Sequence, residues 1–204
     1  MIAARAVVKD DPAERLAPSE QMLLRFRNGD PEAFAFVVRE YQASVYGYLF
    51  RCGVDASARD DLFQDIFLRV HRGAAGYQLD RSFKPWLFTI AVNTVRSYFR
   101  KCRVRKLVYC DQEATDLNPN GEQVAEARET AEWLEAAIAG LPEAQREVVG
   151  LVCAEHMKQS EAAEVLRIPL STVKTLLRRA RIALAQQLGR RKVSLAREVG
   201  SQVS

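Results

Sequence analysis

The sequence predicts an all-α protein: two small helical domains joined by an acidic linker. Three observations predict it. Apolar residues recur at three- and four-residue spacing, and Gly and Pro are sparse inside the periodic segments. That periodicity fails between Asp111 and Glu126, where Asp-Gln-Glu-Ala-Thr-Asp-Leu-Asn-Pro-Asn-Gly-Glu-Gln has few apolar residues and no base, the composition of a tether. A length of 204 residues suffices for one large domain or two small ones, each with its own core.

The elements follow in order. Residues 1–18 carry three acids, three bases and no long apolar run, so they read as a loose tail rather than a secretory signal, and the expected compartment is the cytoplasm. Ser19 is a candidate cap for a first helix ending near Asn28-Gly29. Asp30-Pro31 is a helix start, with Asp at the cap and Pro in the first turn. The helix it opens should bury Phe34, Val37, Val38, Tyr41, Val45, Tyr48 and Leu49 and stop at Gly53. A third helix is expected over 57–71, a loop over 72–82, and a fourth helix from Phe83, closing a first domain at 19–106. After the linker, 107–128, a second domain at 129–188 should hold helices over 129–139, 142–155, 158–166 and 171–188. Gly189 should end the last of them, leaving 189–204 as a second tail.

Several function classes fall away on composition. No apolar run reaches the roughly 18 residues of a membrane span, so no direct membrane insertion is expected. Cys52, Cys102, Cys110 and Cys153 form no Cys-x-x-Cys pair, which speaks against a zinc ribbon or disulfide framework and leaves idle thiols or a redox role. Asp61 and Asp65 lie one helical turn apart, but His71 is at the wrong spacing to complete a metal site with them. Neither His71 nor His156 has a nucleophile partner, and two ligands such as Cys153 and His156 do not make a zinc site. No catalysis, cofactor, metal or small-molecule substrate is expected.

Charge is more informative than the net +4 suggests. Residues 96–106 hold six bases and no acid, residues 107–164 hold thirteen acids against three bases, and residues 165–197 hold nine bases and no acid. Two basic blocks on amphipathic helices suit a polyanion gripped at two places. The second block sits in the sharpest local pattern. A short helix at 158–166 carries Ala162, Ala163 and Leu166 on one side. A tight connection, Arg167-Ile168-Pro169-Leu170, follows, and Ser171 or Thr172 can cap a longer helix with Val173, Leu177, Ala180 and Leu184 as its buried stripe. That arrangement is a DNA-reading helix-turn-helix. Ser171, Thr172, Lys174, Thr175, Arg178, Arg179 and Arg181 remain for phosphates and base edges.

Leu141-Pro142-Glu143, Gln145-Arg146-Glu147-Val148, Ala163-Glu164-Val165-Leu166, Ile168-Pro169, Thr172-Val173-Lys174 and Arg179-Ala180-Arg181 resemble region 4 of the extracytoplasmic-function (ECF) sigma factors of the sigma-70 family. Two positions depart from that pattern. Arg167 stands where the turn usually has Gly, and Leu176 stands where the family often has Arg. In the other half, Asp30-Pro31-Glu32-Ala33-Phe34 is similar to the start of region 2, and the run 61–70 is similar to region 2.2. That resemblance implies docking on the clamp helices of the RNA polymerase largest subunit, with Asp61, Gln64, Asp65, Leu68 and Arg69 facing the partner. Phe83-Lys84-Pro85-Trp86-Leu87-Phe88-Thr89-Ile90-Ala91-Val92-Asn93-Thr94 resembles regions 2.3 and 2.4, which open promoter DNA and capture a flipped −10 base. Tyr77, Leu79, Asp80, Arg81, Ser82, Phe83 and Trp86 are then candidates for melting, and Asn93, Arg96, Arg100 and Lys101 for holding the −10 backbone. Trp86 at helical spacing is equally a core residue.

The resemblance implies a transcription initiation factor. Its first domain would bind core polymerase and −10 DNA, its second would bind −35 DNA, and an anti-sigma factor would be a further partner. The acidic linker would thread the polymerase cleft as an RNA mimic or serve as a solubilising spacer. The rival readings are a self-standing DNA-binding regulator and a nucleic-acid-processing enzyme, the latter lacking any catalytic cluster.

Overall fold

The computed structural model describes residues 16–78, 81–108, 133–134 and 136–201, with side chains for 16–78, 81–104, 133–134 and 136–189. Among these residues the regular elements are all helical: α1 (Pro18–Arg27), α2 (Pro31–Arg51), α3 (Ala56–Gly73), α4 (Phe83–Val108), α5 (Glu143–Val149), α6 (Gln159–Leu166) and α7 (Leu170–Ser201). A 3-10 turn at Ala74–Gly76 follows α3, and a π turn at Gly150–Ala154 follows α5. The linker, both outer termini and Cys110 lie outside the described residues.

Local chemistry sets most helix ends. Asp30 Oδ1 accepts from the Glu32 N–H at 3.1 Å with Pro31 in the first turn, as the Asp-Pro pair predicts. Gly53 leaves α2 at φ +76°, a conformation that favours residues without a Cβ. Three expected boundaries are corrected. Helix α1 begins at Pro18 with Ala17 at its cap, and the Ser19 hydroxyl instead meets Tyr41 Oη at 3.1 Å. Helix α7 opens at Leu170, with the Thr172 and Val173 N–H groups donating to the Pro169 carbonyl, so Ser171 and Thr172 lie inside its first turn rather than capping it. Gly189 does not end α7, which runs on to Ser201. A glycine in a helix costs about 1 kcal/mol relative to Ala, too little to break one flanked by good helix formers such as Arg, Lys, Leu and Ala.

Helices α1–α4 pack as one bundle around Leu23, Val37, Val45, Tyr48, Leu49, Ile66, Val70, Leu87 and Phe88. All seven apolar side chains expected inside α2 are buried or half-buried. Glu20, itself buried, reaches from α1 to accept the Phe83 N–H at 2.7 Å, so a carboxylate caps the N-terminus of α4 from another helix. The second cluster, α5–α7, is built on Val148, Val149, Leu151, Leu166, Val173, Leu177 and Ala180. The two clusters touch: α6 packs along α4, and their buried apolar residues form one continuous core.

At the turn of the helix-turn-helix, Arg167 adopts φ +56°, ψ +46°. This is the left-handed conformation a glycine takes without steric cost. Replacing Arg167→Gly should therefore raise the stability of the folded chain by about 0.5–1 kcal/mol, read from the midpoint of denaturant unfolding. A lowered midpoint would show that the guanidinium, rather than the backbone, governs this turn.

Candidate nucleic-acid interface

The helix-turn-helix is positioned by its own caps. Glu161 accepts from the Lys158 N–H at 2.9 Å, closing the start of α6. The turn then delivers α7 with Val173, Leu177 and Ala180 inward and Leu184 half-buried. Ser171, Lys174, Thr175, Arg178, Arg179 and Arg181 are exposed, and Thr172 is half-buried. The Thr175 hydroxyl donates to the Ser171 carbonyl at 2.9 Å, which leaves its oxygen free to accept. No acid among the described residues pairs with Lys174, Arg178, Arg179 or Arg181. Lys174, Arg178 and Arg181 line an open depression of about 550 Å³ together with Gln159. Sequence reasoning missed Gln159, whose only signal is a polar side chain at the first position of α6.

The face of α3 divides as its periodicity requires. Ile66, Phe67 and Val70 are buried, while Asp61, Gln64, Leu68 and Arg69 are exposed. Asp65 takes a two-pronged pair from Arg69, at 3.0 Å to Nε and 2.9 Å to Nη2. Leu68 is 53% exposed, a large apolar side chain left on an otherwise polar face.

The melting candidates are sorted differently from the expectation. Tyr77 and Phe83 are buried, at 5% and 0% exposure, and the Tyr77 hydroxyl donates to the Arg81 carbonyl. Trp86 is half-buried, with ring centroids 4.8 Å from Tyr77 and 5.7 Å from Phe83, and it lies over Gly73. The three rings form one cluster, so Tyr77 and Phe83, named above as melting candidates, serve in this structure as packing residues at the two ends of the loop. Arg81 and Ser82 are exposed, whereas Leu79 and Asp80 lie outside the described residues. Along α4, Asn93, Arg100 and Lys101 are exposed. Arg96 is turned instead onto Glu147 of α5, with Nε–Oε1 at 2.9 Å and Nη2–Oε2 at 2.7 Å.

Residues 37–117 match the family model for Sigma-70 region 2, and residues 131–184 match that for Sigma-70, region 4. The chain is 27% identical over 179 residues to the ECF RNA polymerase sigma factor SigW of Bacillus subtilis, an alignment taking in 83% of this chain and 96% of that protein. The chain belongs to the sigma-70 family. This sigma factor is also 29% identical over 161 residues to SigM of Mycobacterium tuberculosis, covering 79% of its own length and 80% of that protein's. In fold it is similar to CnrH, solved in complex with the cytosolic domain of CnrY, at a TM-score of 0.65 and 23% identity, covering 85% of this chain and 98% of the other. It is equally similar to RpoE, solved with the anti-sigma factor NepR from Bartonella quintana, at a TM-score of 0.65 and 21% identity, covering 76% and 96%.

Among the described residues no group of three or more His, Cys, Asp or Glu side chains is placed to hold a metal. Cys153 and His156 do not share a helix face: the chain leaves the π turn at Glu155, and His156 sits at φ +54°. The thiols also differ sharply. Cys153 is exposed, Cys102 is half-buried, and Cys52 is buried beneath Tyr48. Burial pushes the Cys52 thiol up from 9.0 to about 11 and pushes the Tyr48 phenol well above its ordinary value. Of the three described thiols, a thiol-specific reagent at mild pH should therefore modify Cys153 first and Cys52 only on unfolding. Both buried acids favour the neutral form in the fold. Stability should thus be intact below about pH 9 and fall as pH rises from there towards 11, and a flat alkaline profile would contradict the burial argument.

Proposed function

We propose that this sigma factor binds core RNA polymerase through its first domain, recognises −10 DNA with that domain and −35 DNA with the second, and helps open the start site. The observation that carries the reading is the row of exposed cations on α7, without acidic partners among the described residues, presented by a helix-turn-helix. Lys174, Arg178, Arg179 and Arg181 neutralise phosphates of the −35 element, and Ser171, Thr172 and Thr175 lie near enough to the N-terminal end of α7 to reach base edges. Gln159 joins the phosphate contacts across the depression it shares with them. Asp61, Gln64, Leu68 and the Asp65–Arg69 pair make the polymerase-docking face, with Leu68 as its apolar anchor. Asn93, Arg100 and Lys101 hold the −10 backbone, while the loop that includes Arg81 and Ser82 receives the displaced base.

The protein performs no catalysis of its own and acts in the cytoplasm, where its polymerase partner is found. Among the described residues no helix is long and apolar enough to cross a membrane. RpoE, a relative in fold, is solved with an anti-sigma factor, and a partner of that kind regulates this chain too. The domain limits that fit this division of labour are 19–106 and 129–188.

Transcription with core polymerase on a promoter library tests the reading, and initiation on a subset of templates is the expected outcome. A chain that supports no initiation, does not co-purify with core and binds duplex tightly alone is instead a self-standing regulator. For the −35 contacts, Lys174→Ala and Arg178→Ala should each reduce the slope of log affinity against log salt by about one, with a similar loss on every sequence. An unchanged slope would remove that residue from the phosphate contacts.

A further inference from the structure

The side chains that join the two helical clusters are of opposite sign on the two sides. From the second cluster come acids. Glu147 lies in α5 and is 6% exposed, and Glu155 follows the π turn and is 4% exposed. From the first cluster come bases. Arg96 grips Glu147 with two bonds at 2.9 and 2.7 Å. Arg51 Nη2 donates to Glu155 Oε1 at 2.6 Å, and Lys84 Nζ reaches the same residue at both its carbonyl, 2.6 Å, and its Oε2, 3.3 Å. Arg103 and Glu143 add an exposed pair at 3.3 Å. Gly150 packs against the same side of the first cluster, where a Cβ would stand 3.8 Å from the Tyr48 ring and 3.9 Å from Arg51 Nε.

We propose that Glu147 and Glu155 form an intramolecular electrostatic latch that holds the second domain on the first and withholds Arg96, Arg51 and Lys84 from anionic ligands until the chain opens. The acids occupy the positions that phosphates would take against these cations. The energetics suit a reversible device. Both carboxylates lose nearly all their water on closing, and the charge-assisted bonds offset that cost rather than exceed it by a wide margin. Arg96 and Lys84 stay partly wet, with side chains 39% and 32% exposed, so they can change partners without first being dug out, whereas Arg51, at 18%, is freed only when the clusters part. A polyanion presented to this surface competes with two carboxylates for the same donors. The proposal rests on the sigma-factor reading only for what the freed cations engage.

Small-angle scattering on the full chain, paired with binding of a short fluorescein-labelled duplex of mixed sequence, tests the latch. The double variant Glu147→Gln/Glu155→Gln should expand, its radius of gyration rising by on the order of 3 Å over the compact wild type. Its duplex affinity should increase about tenfold, as Arg96, Arg51 and Lys84 add phosphate contacts to those of the α7 cations that are exposed already in the closed state. A folded double variant with the wild-type radius overturns the proposal, and so does expansion without tighter duplex binding. If the double variant loses its helical circular dichroism, a charge exchange decides. Arg96→Glu alone should open the chain, and adding Glu147→Arg should close it again. An equal radius in both overturns the latch. A wild type that fails to direct transcription would sink the sigma-factor reading while leaving the scattering result standing.

Discussion

Helix α4 is the wall on which everything else leans. Its inner face buries Leu87, Phe88, Ala91, Val92 and Val95 completely or nearly so, each contributing roughly 1–3 kcal/mol in proportion to its size. Its start is fixed from a distance by the buried Glu20 carboxylate, and α6 lies along it from the other cluster. One helix thus serves two packing surfaces and still presents Asn93, Arg100 and Lys101 outward. These exposed side chains keep their mutual spacing because the face behind them cannot shift without opening the core.

The same wall explains why the aromatic residues before and within α4 are not free platforms. Tyr77, Phe83 and Trp86 lean on one another and on the α3 end, which gives the intervening loop a firm base at each side. Side chains locked by packing at both ends of a loop are what a binding site on that loop would require, which is why the proposed role of Arg81 and Ser82 depends on them.

Much of this was legible in the sequence because its causes are local. The Asp30-Pro31 start, the Gly53 stop, the beginning of α4 at Phe83 and the stripe Val173, Leu177, Ala180 each follow from a few neighbouring residues. The boundaries that slipped are those where two local rules compete. Gly189 carries a stop signal but lies among helix formers, and Ser19 had a hydroxyl suited to capping that Tyr41 claimed instead. Least legible were Arg96, Glu147 and Glu155. Arg51 and Glu155 lie 104 residues apart, and Arg96 and Glu147 lie 51 apart, so no periodicity links them. In the sequence the two acids are simply members of a long negative stretch. Only the packing of α5 and α6 against α4 gives them individual addresses.

The π turn at Gly150–Ala154 acquires significance from that address. Its defining bond runs from the Glu155 N–H to the Gly150 carbonyl, 3.0 Å, five residues back instead of four. The extra residue sets the angular phase at which the chain leaves α5, and Glu155 is the first side chain to inherit it. Wound instead at the ordinary pitch, with no residue removed, the same segment would carry Glu155 one residue step, about 100°, further around the axis. Its carboxylate would then face water while its sequence neighbours stayed much the same. The geometry of a single widened coil, rather than the count of charges along the chain, therefore decides where that acid is spent.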